Sequence, residues 1–193
     1  MIRVTFGGNL EFIRDAIRVN KLDEIYVDMS YHYGGDIPDN AYLFDTGIPY
    51  MKKVDGIEYD SFDVEVINRR LRIARAMRYI LGRHKDEDVM FIDSDVLIRK
   101  IDRLNDIDKH KPFTVCIMAK AKPLPFIVKF CSSTNIFIPS SYVGNAIDLL
   151  NTYEEDLRYL ISPIDIYLNE NLHSATVSLP NVCHFVLGAW RCT

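Results

Sequence analysis

The chain has 193 residues, 48% of them hydrophobic, and a formal net charge of −4 from 23 Lys and Arg against 27 Asp and Glu. That length suits one domain with a real core, the composition excludes a disordered chain, and the acidic balance argues against a dedicated nucleic-acid binder. The apolar runs are too short to span a bilayer and the amino terminus lacks a signal-peptide pattern, so the expectation is a cytoplasmic protein with no membrane span.

Ile2-Arg3-Val4-Thr5-Phe6 reads as a first strand and Gly7-Gly8-Asn9 as a turn. Leu10, Ile13, Ala16 and Ile17 then recur at helical spacing. Residues 24–29 read as a second strand with Asp28 near its end, which makes a βαβ opening and calls for a parallel sheet. From 30 to 60 the pattern breaks up around a short strand-like piece, Ala41-Tyr42-Leu43-Phe44. An irregular segment that long is either a binding loop or a surface excursion.

Residues 63–81 form the clearest helix. Val64, Ile67, Leu71, Ala74, Met77 and Leu81 mark one apolar stripe, and Gly82 offers a stop. Arg69, Arg70, Arg72, Arg75 and Arg78 cover the rest, either as a solvated basic face or with one arginine reaching an anionic ligand. A polar turn spans 99–111. Strands are expected at 113–118, 126–130 and 135–138. Ser140 or Ser141 can cap a helix to about residue 150. A short helix is expected at 154–161, another opens at Pro163, and a late strand covers 175–179. Four cysteines (Cys116, Cys131, Cys183 and Cys192) show no Cys-x-x-Cys spacing, which argues against zinc. The simplest expectation is four reduced thiols, with a Cys116–Cys131 pair on neighbouring strands as the alternative. The chain contains no Gln and many Ile, compatible with a thermophilic source.

The chemistry centres on Val89-Met90-Phe91-Ile92-Asp93-Ser94-Asp95-Val96-Leu97-Ile98. Two carboxylates interrupt an apolar run that reads as a strand buried on both faces. An unpaired buried carboxylate is costly, so the acids either emerge at the strand's carboxyl end or meet a cation. Positions i and i+2 of a strand face the same way, and carboxyl ends of parallel strands are where α/β sheets bind ligands. Two hard oxygen donors there suit Mg²⁺ or Mn²⁺ carried in with a diphosphate. A second pair, Asp106-Ile107-Asp108, has no strand before it and reads as solvated surface.

This motif resembles the D-x-D signature of GT-A glycosyltransferases. Ala74-Arg75 resembles the Ala-Arg that family 8-type members place in the preceding helix. Ser133-Thr134-Asn135-Ile136-Phe137-Ile138 is similar to their Asn-x-Gly strand, with Ile136 and Phe137 departing from the glycine. Asp165-Ile166-Tyr167-Leu168-Asn169 is similar to their Asp-Gln-x-x-Leu-Asn helix start, with Ile166 replacing Gln. His184-Phe185-x-x-Gly188-x-Trp190 resembles their carboxyl-terminal His-x-x-Gly segment.

The resemblance implies a single α/β domain of GT-A fold with a mostly parallel central sheet flanked by helices, 1–98 forming the donor half and 99–193 the acceptor half. It implies a metal-dependent, hexosyltransferase-like enzyme that moves a sugar from a nucleotide-diphospho-sugar to an acceptor hydroxyl on a protein, glycan or lipid. Mn²⁺ (or Mg²⁺) would be held by Asp93, Asp95 and His184. Phe6, Gly7, Asp28, Arg75, Asp93, Ser94, Asp95 and Asn135 would bind the donor. Asp165 would serve the acceptor as general base or orient the sugar, with Glu155-Asp156 as a rival. Sugar, acceptor and oligomeric state stay open. The alternatives are a non-enzymatic binding or structural protein with a degenerate fold, or a metal-dependent nucleotidyltransferase. The latter would want a glycine-rich basic loop after strand one.

Overall fold

The computed structural model describes residues 1–32, 34–48, 62–120, 127–155, 164–179, 181–186 and 189–192. Strand β1 (Ile2–Gly7), helix α1 (Ile13–Asn20) and strand β2 (Glu24–Asp28) form the expected βαβ unit, the strands pairing in parallel from Val4 opposite Glu24 to Gly7 opposite Val27. Helix α1 buries Ile13 and Ala16 against Ile25, Val27 and Leu97, the return of apolar residues to one side that its spacing predicts. It ends at Lys21, whose φ of 51° is left-handed, and Leu22 N–H donates to the Ile17 carbonyl at 3.3 Å to close the turn.

Strand β3 (Tyr42–Phe44) extends the sheet in parallel outside β2. Helix α2 (Phe62–Arg83) leads back across, and β4 (Val89–Phe91) pairs in parallel with the other side of β1. Gly82 does not stop α2. It sits in the last turn, exposed, where an added Cβ would meet nothing within 4 Å, so the helix runs through it to Arg83.

After β4 comes a turn, then β5 (Val96–Ile98) and a 3-10 helix at Ile101–Asp106. Strand β6 (Phe113–Lys120) pairs antiparallel with β7 (Ile127–Ile138), and β7 is antiparallel to β4 as well. Where the side-chain pattern suggests two strands, β7 is one. Its pairing with β6 shifts register across the polar stretch, from Ile136 opposite Thr114 to Cys131 opposite Cys116, a bulge that joins the two pieces. Helix α3 (Ser140–Glu155) begins with Ser140 N–H donating to the Asp88 carboxylate at 2.9 Å, so that acid, on the loop before β4, satisfies a first-turn amide. Glu154 and Glu155 belong to this helix; the rest of the short helix expected at 154–161 lies outside the described residues. Helix α4 (Ile164–Asn171) leads into β8 (Ala175–Ser178), parallel to β6. Last come β9 (Val182–Val186) and β10 (Ala189–Cys192).

The result is an α/β domain with a seven-stranded sheet in the order β3-β2-β1-β4-β7-β6-β8, parallel except for β7, and a small antiparallel sheet β10-β9-β5. Strand β4 is buried on both faces. Val89 and Phe91 pack with Val4, Met77, Leu81, Ile136 and Val143 beneath α2 and α3, while Met90 joins Ile92, Val96, Ile98, Leu104 and Phe113 on the other side. Cys116 and Cys183 are each engaged in a disulfide, which corrects the expectation of reduced thiols at these two positions. Cys131 faces Cys116 across the β6–β7 ladder and Cys192 faces Cys183 across β9–β10. Direct antiparallel register brings such residues within bonding reach. No helix among the described residues is long and apolar enough to cross a membrane.

Candidate active site

From β1 the chain builds outward through β2 to β3, then α2 carries it to β4 on the opposite side of β1. The order reverses there, so the carboxyl ends of β1 and β4 flank a crevice. Open α/β sheets bind ligands at this topological position.

Asp93, Ser94 and Asp95 follow β4 at that crevice. They do not continue the strand. Val96 N–H donates to the Asp93 carbonyl at 3.1 Å, closing a tight turn, so the two acids are presented by turn geometry and not by strand alternation. The turn is tied on every side. Asp93 N–H donates to Asn135 Oδ1 at 3.2 Å, and Asn135 Nδ2 lies 3.5 Å from Asp93 Oδ2. Asn135 comes from β7 and is fully buried. Ser94 Oγ donates to the Asn9 carbonyl at 3.3 Å, linking the turn to the loop after β1. On the far side of the turn, Asn20 binds the β5 backbone at Val96 and Ile98. Asp93, Ser94 and Asp95 are each partly exposed.

Gly7, at the β1 end, has φ of 147°, and a Cβ there would meet nothing within 4 Å. Its backbone therefore borders open space beside Phe6, whose ring meets Phe91 edge-on at 5.9 Å. Gly8 differs. A Cβ on it would stand 2.3 Å from the Tyr31 carbonyl oxygen, so only glycine lets the loops after β1 and β2 touch.

Asp28, at the end of β2, is 3% exposed and structurally committed. Its carboxylate accepts from Ser30 N–H and Oγ and from Thr46 N–H and Oγ1, at 2.6–3.2 Å. Arg75 binds Glu154 of α3 and the Thr46 carbonyl. Arg78 shares Glu154 at 3.0 Å, and the buried Arg72 stacks 3.8 Å above the Tyr31 ring and donates to the Ile48 carbonyl. Arg75 and Arg78 line a cavity of about 690 Å³ with Phe44, Tyr79 and Arg83, and neither acid of the D-x-D turn lines it.

His184 stands directly across from Val96 in the β5–β9 ladder, one position from Asp95. Its side chain lies outside the described residues, as does that of Asp165. Asp165 occupies the first turn of α4. The other end of α4 meets the start of β6, where Thr114 Oγ1 donates to Asn169. Strand β6 is parallel to β4, so α4 begins at the end of the sheet that carries the D-x-D turn. Among the described residues no three His, Cys, Asp or Glu side chains gather as a metal-holding group.

The fold thus brings Gly7, Asp93, Ser94, Asp95 and Asn135 together, with the His184 backbone beside them. It sets Arg75 and Asp28 into ties of their own. Asn20 escaped the sequence, because one Asn at a helix end carries no periodic or motif signal.

No family model matches the chain. It is 32% identical over 226 aligned positions to the ORF238 protein of Acidianus filamentous virus 2, covering 94% of each. Among solved structures it is similar to the 2-C-methyl-D-erythritol 4-phosphate cytidylyltransferase of Thermus thermophilus, with a TM-score of 0.51, 11% identity, and coverage of 98% of this chain and 91% of that one. It is also similar to the glycosyltransferase GlyE of Streptococcus pneumoniae, with a TM-score of 0.46 and 14% identity over 92% of this chain. It spans 45% of GlyE's length.

Proposed function

The chain belongs to the same protein family as the ORF238 protein of Acidianus filamentous virus 2, and we propose, from the geometry of its D-x-D turn, that it is a metal-dependent glycosyltransferase that takes a sugar from a nucleotide-diphospho-sugar. One observation carries the proposal. Two carboxylates sit in a braced turn at the switch-point crevice, beside a glycine whose flank is open. Such a turn matches what a nucleoside diphosphate with a divalent cation requires.

Asp93 and Asp95, with His184 across the ladder, are the residues that would hold Mn²⁺ or Mg²⁺; two hard oxygens and one imidazole favour Mn²⁺. When bound, the ion would supply neutralisation of the charge that builds on the departing diphosphate. The backbone at Gly7 leaves room for the nucleotide, and Asn135 fixes Asp93 so that little reorganisation is needed at the moment of reaction. Asp165, at the amino end of α4, would take the proton of the acceptor hydroxyl or orient the sugar.

The test is a thermal-shift and turnover panel with UDP, GDP, their sugars and CTP, each with Mn²⁺ and with EDTA. Metal-dependent stabilisation by UDP or GDP, with slow release of sugar, is expected. A panel without binding or hydrolysis refutes the proposal and favours a non-enzymatic binding protein. Pyrophosphate release from CTP would instead favour nucleotidyl transfer, the activity in the name of the Thermus neighbour. The loop after β1, Gly7-Gly8-Asn9, has no Lys or Arg for that chemistry.

A further inference from the structure

Strand β5 leaves the D-x-D turn directly and forms one of the two outer strands of the small sheet. One edge pairs with β9. On the other edge stands Asn20, the last residue of α1 and fully buried. Its Nδ2 donates to the Val96 carbonyl at 2.7 Å, and its Oδ1 accepts from Ile98 N–H at 2.8 Å. These two backbone groups flank Leu97 on the same side of the strand, the pair that a neighbouring antiparallel strand would engage. A carboxamide offers one donor and one acceptor side by side, which is what this pair needs. Replacement by an apolar residue would leave two buried backbone groups unpaired.

Val96 joins this contact to the turn. Its N–H closes the turn on the Asp93 carbonyl, and its own carbonyl is held by Asn20. Asp95 therefore lies between a residue fixed by Asn135 at the entry and one fixed by Asn20 at the exit. The left-handed Lys21 ends α1 immediately after Asn20, so the helix end sets the amide's position.

We propose that Asn20 is a positioning residue for the nucleotide site: it fixes the exit of the D-x-D turn so that Asp95 presents its carboxylate in one direction. This rests on reading Asp93 and Asp95 as the diphosphate site. Residues that support metal ligands from behind typically change metal affinity by about 10–100-fold.

The experiment compares full-length Asn20→Ala and Asn20→Asp with Asp88→Ala, which removes the carboxylate that holds Ser140 N–H before β4, away from the turn. The probes are UDP with Mn²⁺, thermal unfolding, and backbone hydrogen exchange. Asn20→Ala should weaken Mn²⁺-dependent UDP binding about tenfold and speed exchange at Ile98. Asp88→Ala should lose stability while keeping UDP affinity. Equal affinity losses in the two, or a change under about twofold in Asn20→Ala, overturn the proposal. If Asn20→Ala does not fold, Asn20→Asp decides, since it keeps the acceptor for Ile98 and loses the donor for Val96. If the unaltered protein binds no UDP with Mn²⁺, the transferase reading fails. Exchange across 95–98 then decides alone: faster exchange confined to the Asn20 variants supports positioning, and none overturns it.

Discussion

The chain contains two Asp-x-Asp pairs, and their surroundings could hardly differ more. Asp93 and Asp95 leave a strand buried on both faces, enter a turn braced by Asn135, Ser94 and Asn20, and stand where the strand order reverses. Asp106 ends a short 3-10 helix, and Asp108 spends its carboxylate on His110 N–H two residues on. Both pairs offer the same donors. The difference is bracing and address, and the metal site proposed above would need carboxylates held before the ion arrives.

The largest contrast should come from Asp95→Ala, which is expected to reduce Mn²⁺-dependent UDP binding to background without unfolding the protein. Full binding by that variant, measured by calorimetry, would break the comparison. Reduction comes next. A disulfide closing a loop of this size contributes about 3 kcal/mol, so dithiothreitol should lower the thermal midpoint. Peptide mapping should join Cys116 to Cys131 and Cys183 to Cys192, and any other pairing would contradict the register. Asn135→Ala should cost about 1–3 kcal/mol, the desolvation of the Asp93 amide left behind, and weaken UDP binding as well; urea unfolding and calorimetry measure the two. The smallest effect belongs to Asp106→Ala with Asp108→Ala, within about 0.5 kcal/mol by urea unfolding and with UDP binding unchanged.

A pH series sharpens the contrast between the two ends of the sheet. Towards the amino end of β2, burial and then the bond to Glu24 push the Tyr26 phenol well above its ordinary pKa, with His84 at 3.1 Å. A raised folded pKa means that the contribution is complete below the unfolded phenol's value and is lost as pH rises past it. The thermal midpoint should therefore fall from about pH 10 upward, and Tyr26→Phe should flatten that fall.

Much of this was legible in advance because it depends on local pattern. Ile13 and Ala16 predict α1, the α2 stripe predicts its length to within a few residues, and the apolar flanks of Asp93 mark β4. Two features take their meaning from distant parts of the chain. Strand β5 is three residues long and takes its identity from β9, near the other end of the chain. Asn20 becomes meaningful only when α1 is laid against that strand. Asp28 was visible as a strand-end acid, but its four donors come from Ser30 and Thr46, within an irregular loop that no periodicity describes. Arg75 was visible as a cation, and its partner Glu154 sits on a helix far along the chain.

The pairing of β5 with β9 also bears on the order of assembly. Val96 can meet His184 only after the chain through β9 has been made, and contacts between such distant positions form slowly. The sheet from β1 to β4 can settle earlier, since its strands are close in sequence. During synthesis Asn20, the partner of the turn's exit, is made before the turn itself, whereas Asn135 at its entry and β9 beside β5 come after it, and a chain truncated ahead of β9 could fold its main sheet and still lack the small one. The environment of β5 would then be completed as a late event, once β9 has joined it.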